Sequence, residues 1–152
     1  MERPAEPFTI LLVEDNPDDS ILIRRALEKT GVGHRIQWVQ SGEAALSYLE
    51  GQDHFGDRLR YPLPALVLLD LRLPGLSGFD VLAWIRGHPR LRTLPVVVLT
   101  SSGDLRDVNR AYELGANSYL TKPITPAEVE RMMAALHGYW LRWNRYPELA
   151  VP

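Results

Sequence analysis

The chain has 152 residues, the length of one domain with a substantial core. Hydrophobic residues make up 45% and charged residues 24%, and a formal net charge of -2 offers no basic field for gripping nucleic-acid phosphates. Cysteine is missing, which excludes disulfides, thiolate metal sites and cysteine nucleophiles. The cluster Arg86, Arg90 and Arg92 reads as solvated surface, and His34, His54, His88 and His137 are scattered without metal-ligand spacing. No basic-then-apolar leader and no apolar run approaching the ~20 residues of a bilayer span can be read, so a cytoplasmic protein without membrane association is expected.

In chain order, Phe8 to Val13 reads as the first strand. Asn16 then caps a helix with Pro17 at its first position and Asp18 and Asp19 against the positive end of the dipole. Ile23, Ala26 and Leu27 give that helix an inward face, and Gly31 is placed to end it. Arg35 to Val39 is the second strand, followed by a helix from about Ser41 carrying Ala45, Leu46 and Leu49. The loop from Gly51 to Pro64, with His54, Phe55, Arg58 and Tyr61, is longer than a compact layout needs and reads either as functional or as a solvated insertion. Ala65 to Leu69 is the third strand. The next helix begins near Ser77, turns Val81, Leu82 and Ile85 inward and stops before Pro89. Pro95 to Leu99 is the fourth strand, and Asp104 precedes a helix with Leu105, Val108 and Tyr112 on one side. Asn117 to Leu120 is the fifth. Thr125, Pro126 and Glu128 form a capping box for a last helix carrying Val129, Met132, Met133, Leu136 and Trp140.

Runs one, three and four are apolar almost throughout, as parallel strands covered on both faces must be. The alternation predicts an α/β fold: a flavodoxin-like, doubly wound five-stranded parallel sheet, order 2-1-3-4-5, with five helices. Residues 1–138 would form this domain and 139–152 an aromatic extension. That extension, with Tyr139, Trp140, Trp143, Tyr146, Leu149 and Val151, holds too much apolar area to stay exposed. It either folds back or lies in a symmetric dimer, and the dimer, contacted through Tyr139, Trp140, Trp143 and Tyr146, is preferred.

In such a sheet, ligands bind beyond the carboxyl ends of the strands. There the sequence places Glu14 and Asp15 after strand one, Asp70 after strand three, Thr100 after strand four, and Lys122 with Pro123 after strand five. Three neighbouring carboxylates repel one another unless a cation shares the site, and a hard divalent ion such as Mg2+ or Mn2+ would do so. Lys122 adds a second positive charge and Thr100 a hydroxyl, a set suited to phosphoryl transfer onto a carboxylate.

The acidic pair, Asp70-Leu71-Arg72-Leu73-Pro74 with Gly78, Thr100-Ser101 and Lys122-Pro123 together resemble the receiver domain of two-component response regulators, over about residues 8 to 137. The resemblance implies that Asp70 accepts a phosphoryl group from a kinase phosphohistidine, that Asp15 binds the metal directly with Glu14 beside it, and that the Arg72 backbone carbonyl completes the protein ligands. It further implies that Lys122 pairs with the phosphate and that Thr100 and Tyr119 form the switch. Gly75 and Gly78 read as turn and close-packing positions, and the Arg72 side chain is expected near the mouth of the site. A sensor histidine kinase is the implied partner, and the long loop and aromatic tail resemble the single-domain regulators of bacterial phytochromes; a regulator of another kinase is the alternative. Output would be by protein contact or phosphorelay, with no dedicated enzyme activity beyond self-phosphorylation and dephosphorylation. Three rivals are weaker. An aspartate-nucleophile phosphatase needs a second acid where Pro17 stands, a nucleotide module needs a glycine-rich loop after strand one, and a degenerate receiver lacks one of the motif residues.

Overall fold

The computed structural model describes residues 8–31 and 34–149. The strands are β1 (Thr9–Val13), β2 (Arg35–Val39), β3 (Leu66–Leu69), β4 (Val96–Thr100) and β5 (Ser118–Thr121). They form one parallel sheet in the order β2-β1-β3-β4-β5, as expected, with Ile10 opposite Ile36 and Leu66, Val67 opposite Val96, and Val97 opposite Ser118. Among the described residues the helices are α1 (Pro17–Glu28), α2 (Gly42–Glu50), α3 (Gly78–Gly87), α4 (Leu105–Glu113) and α5 (Pro126–Leu136). None is long and apolar enough to cross a membrane.

The two-residue period of a strand explains the layering. Ile10, Leu12, Leu66, Leu68, Val97 and Leu99 point to one face, where they meet Ile23 and Leu27 of α1 and Val129 and Met133 of α5. Leu11, Val13, Val67, Leu69, Val96 and Val98 point to the other, against Ala45 and Leu49 of α2 and Val81, Leu82 and Ile85 of α3. The edge strands β2 and β5 are only half-buried, which is why their sequences are mixed.

The helix starts follow their caps. Asn16 Oδ1 accepts from the Asp18 and Asp19 amides, and Asp104 accepts from the Arg106 amide. The full reciprocal capping box lies at Ser77 and Asp80. At α5, Thr125 caps the Glu128 amide, but the Glu128 side chain turns to Arg131 at 3.6 Å, so half of the expected box is realised. Gly31 does not end α1: the Lys29 amide bonds the Arg25 carbonyl and the Thr30 hydroxyl bonds that of Leu27. The expected inward face of α4 is also corrected. Ala111 is buried with Val108 and Leu114 half-buried beside it, leaving Leu105 68% and Tyr112 49% exposed, because the apolar stripe runs one position off the one read. Arg86 is not solvated: its guanidinium spans the carbonyls of Arg92, Leu94 and Gly115 and the Asn117 side chain. His34 and His137, far apart in sequence, meet edge to face with centroids 5.4 Å apart.

The long loop is ordered by its own side chains. Arg58 caps the end of α2, donating to the Tyr48 and Leu49 carbonyls at 2.7 Å each and to Tyr61 at 3.2 Å. Phe55 in the 3-10 turn Asp53–Gly56 is buried against Tyr48 and Tyr61, with centroids 5.1 and 5.2 Å away. The Tyr48 hydroxyl donates to the Pro62 carbonyl, and burial pushes its pKa up to about 12. This is a structural strap, not a solvated insertion.

Beyond α5 the chain widens into a π-helical turn, His137–Trp143, and folds back. Leu141 is buried, and Trp140 and Tyr146 pack on the α1–α5 layer, where Tyr146 lies 4.9 Å from Phe8 and its hydroxyl bonds the Trp140 carbonyl. Trp140 and Tyr146 are thus engaged within the chain, while Tyr139 and Trp143 stay 58% and 76% exposed. Val151 lies outside the described residues.

Candidate functional site

Parallel strands aim their carboxyl ends at one edge of the sheet, and that edge gathers the acids. β1 runs into Glu14, β3 into Asp70 and β4 ends on Thr100; all three are buried, at 1%, 5% and 0% exposure. Asp15 is exposed at the rim. One carboxylate oxygen from each of Glu14, Asp15 and Asp70 lies within 4.8 Å of the others.

Asp70 is held on both sides. Its Oδ1 accepts from the Thr100 hydroxyl at 2.8 Å and from the Arg72 amide at 3.2 Å; its Oδ2 accepts from Lys122 Nζ at 2.9 Å. Lys122 is oriented by β5, its amide bonding the Thr100 carbonyl at 2.8 Å. The same ammonium touches Glu14 and reaches Asp19 at 3.0 Å. Asp19 was read only as a helix-dipole acid. The signal for it was topological: an acid in the first turn after strand one returns to the edge where the strands end.

The electrostatics follow from burial and partners. Burial pushes Glu14 up to about 7; Lys122 opposes this and the neighbouring Asp70 adds to it. Burial also pushes Asp70 upward, but the hydrogen bonds from Lys122 and Thr100 and the charge of Lys122 outweigh it and hold its carboxyl below the usual range. Lys122 would be pulled down by burial, yet Glu14 and Asp70 raise it, so it stays charged.

Gly78 is required by close approach. Its amide donates to the Leu71 carbonyl at 3.0 Å, and a Cβ there would stand 2.1 Å from the Asp70 carbonyl oxygen. Gly75 turns the chain at φ 72. Arg72 sends its guanidinium to Asp107 on α4 at 2.5 Å, and Asp107 also accepts from the Ser102 hydroxyl at 2.6 Å. The Tyr119 hydroxyl donates to the Ser102 carbonyl at 2.7 Å, so Thr100 and Tyr119 both bear on the loop after β4.

The donor set fits a hard divalent cation: all oxygen, two acids deep and one at the rim. Glu14 Oε1 is buried without a hydrogen bond and is met only by the charge of Lys122, an atom that a cation would satisfy. Glu14, Asp15 and Asp70 fit Mg2+ or Mn2+, which would offset charge on an incoming phosphoryl group.

Comparisons with known proteins agree with the geometry. The response regulator receiver domain family matches residues 10–134. A probable methanogenesis regulatory protein, FilR2 of Methanothrix harundinacea, is 47% identical over 93% of this chain and 89% of that protein. The Mn2+-bound crystal structure of response regulator Rcp1, a protein known from Synechocystis, superposes with a TM-score of 0.85 at 38% identity, covering 93% of this chain and 100% of that one. The phosphorylated cyanobacterial phytochrome response regulator RcpA gives 0.87 at 34% identity over 93% and 99%. With the family's span running from β1 into α5 and its acids gathered at one sheet edge, the chain belongs to the response regulator receiver domain family.

Proposed function

We propose that the protein is a phospho-accepting switch, taking a phosphoryl group from the phosphohistidine of a sensor histidine kinase onto Asp70. The observation that carries this reading is the buried Asp70 carboxylate, flanked by Thr100 and Lys122 and within 4.8 Å of two further acids. An Asp70 oxygen attacks phosphorus as the P–N bond breaks, and the departing imidazole nitrogen takes up a proton. Lys122 and the Thr100 hydroxyl neutralise and orient the incoming oxygens, and burial excludes competing water. The divalent cation would be held by Asp15 and Asp70, with Glu14 beside it and the Arg72 carbonyl as a further ligand. Thr100, which ends β4, and Tyr119, whose hydroxyl bonds the Ser102 carbonyl in the loop that follows, would then move together as the switch. The test is incubation with acetyl phosphate and Mg2+ followed by intact-mass measurement. One added phosphoryl group on the wild type and none on Asp70→Asn is the expected result; equal labelling of both would overturn the reading.

The kinase we infer is a bacterial phytochrome, because RcpA, a cyanobacterial phytochrome response regulator, matches over 93% of this chain at 34% identity. The 47% identity to a methanogenesis regulator favours a second reading, a kinase of another kind. Exposed Leu22 and Ile124, beside Lys122, offer that kinase an apolar footing at the mouth of the site. The protein would work in the cytoplasm, without nucleic acid, and form a homodimer through the open tail residues Tyr139 and Trp143, with Trp140 and Tyr146 shaping the surface from beneath. Trp143→Ser should shift sedimentation to the monomer without lowering the melting temperature; an unchanged dimer would refute this contact.

A further inference from the structure

Trp38 sits on β2, separated from the acceptor strand by β1, and has no reactive group. Its indole N–H nevertheless donates to the backbone carbonyl of Glu14 at 2.7 Å. The β1–β2 register places Trp38 opposite Leu12 and Val39 opposite Val13, and the Glu14 amide still bonds the Val39 carbonyl at 3.1 Å. Strand pairing stops there. The next carbonyl, that of Glu14, has the indole as its partner, and its peptide plane carries the link from Glu14 to Asp15. Fixing that plane fixes the direction in which both acids leave the strand.

The indole is itself clamped. Trp38 packs on the α1–α5 layer, and the Arg24 guanidinium lies 4.7 Å over its ring. Arg24 is held in turn, its Nε donating to the Ser20 hydroxyl at 3.0 Å and the Ser20 carbonyl at 3.3 Å. Covering the layer requires only an apolar ring. The directed N–H bond and the stacked cation are additional, and both converge on the acidic turn. An outer-shell bond of this kind orients metal ligands that it does not itself touch.

We propose that Trp38 is a positioning residue for the divalent-cation site: its indole N–H, clamped beneath Arg24, holds the Glu14–Asp15 peptide so that both carboxylates face Asp70. The inference rests on the receiver reading above and deepens it, since it assigns control of cation affinity to a residue outside the acidic cluster.

The test titrates Mn2+ into the full chain, following free Mn2+ by electron paramagnetic resonance, alongside acetyl phosphate phosphorylation against Mg2+ concentration. Trp38→Phe keeps the ring and loses the donor; 3-benzothienylalanine at the same position replaces only the N–H by sulfur. Both should weaken Mn2+ binding by about tenfold, the lower end of outer-shell effects on metal affinity. The phosphorylation rate at saturating Mg2+ should stay near wild type, a split that general loss of structure does not produce. Arg24→Gln should weaken binding in the same direction by about threefold, as loss of one cation–π contact implies. If Trp38→Phe does not fold, the benzothienylalanine chain decides alone. Wild type that binds no Mn2+ would overturn the receiver-site reading itself. Wild type that binds while the benzothienylalanine chain binds equally well would overturn only the role of Trp38.

Discussion

Lys122→Met probes how charge is balanced in the hollow. Nζ lies 2.9 Å from Asp70 and 3.0 Å from Asp19 and also touches Glu14, and methionine fills nearly the same volume without charge. The Glu14 and Asp70 side chains are 1% and 7% exposed, so water cannot replace the lost partner. Breaking a buried pair by deleting one member costs about 3–5 kcal/mol. Two features lower that figure here. Asp19 is 38% exposed and returns to solvent, and Glu14, with a pKa raised to about 7, can take up a proton instead of remaining an orphan anion.

The expected loss is therefore about 3 kcal/mol at about pH 8 and about 1–2 kcal/mol at about pH 6, where most Glu14 already carries its proton. For a domain of this size that lowers the melting temperature by roughly 6–12 °C at the higher pH. Calorimetry in chelator measures it, and repetition with excess Mg2+ should return most of the loss, since a ligand at a hundredfold excess over its dissociation constant stabilises by about 2.7 kcal/mol. A variant that melts with the wild type in chelator at about pH 8 would refute the reasoning. So would a larger loss at about pH 6 than at about pH 8.

Two further outcomes follow from the same structure. Glu14 has its pKa raised from 4.5 to about 7 by burial, so between those values the folded chain holds more protons than the unfolded one and loses up to about 3 kcal/mol as pH rises. The depressed Asp70 matters only in more acidic solution, and His34, lowered by burial and by His137, acts with the opposite sign. The stability difference between Glu14→Gln and wild type isolates the Glu14 contribution: it should grow in favour of the variant from about pH 5 to about pH 8 in chelator, and a flat difference would refute it. Arg58→Met removes three charge-assisted bonds to carbonyls and should cost about 2–3 kcal/mol while raising hydrogen exchange across residues 51–64; unchanged exchange there would show that the aromatic cluster suffices.

Much of this molecule was legible because its periodicities are unmixed. The central strands are apolar on both faces, the helix starts carry Asn16, Ser77 and Asp104, and the motif acids stand at strand ends that a parallel sheet must bring together. Thr100, Asp70 and Lys122 meet within hydrogen-bond reach for that reason alone. What was not legible depends on which side chain answers which backbone group across elements. Gly31 looks like a helix stop, but Thr30 supplies the cap. Leu105 and Tyr112 look like a core stripe, yet α4 has few apolar residues, and the position of Ala111 decides which way it faces. The Gly51–Pro64 loop leaves a solvated insertion open because its length does not say where Arg58 points, whereas that charge is directed inward at the open end of α2. Trp140 and Trp143 look alike in sequence; only the wider turn after α5 sends one inward and the other out.

The charge inventory of the hollow gives a divalent cation and Lys122 separate parts in the proposed reaction. Glu14, Asp15, Asp19 and Asp70 stand around a single ammonium group. Lys122 already reaches three of these acids, so it can meet an incoming phosphoryl group only by loosening its hold on Glu14 and Asp19. If it did so alone, Glu14 would be a buried anion without a partner, and the burial that raises its pKa to about 7 even beside Lys122 would act unopposed. A cation held by the acidic cluster would remove that conflict, since it would offset the charge of the neighbouring Glu14 and leave Lys122 free for phosphate. The burial that penalises Glu14 as a lone carboxylate would therefore favour a bound cation, and the all-oxygen donor set a hard one. The indole of Trp38, in turn, decides whether the turn presents its two acids in a form such an ion can use.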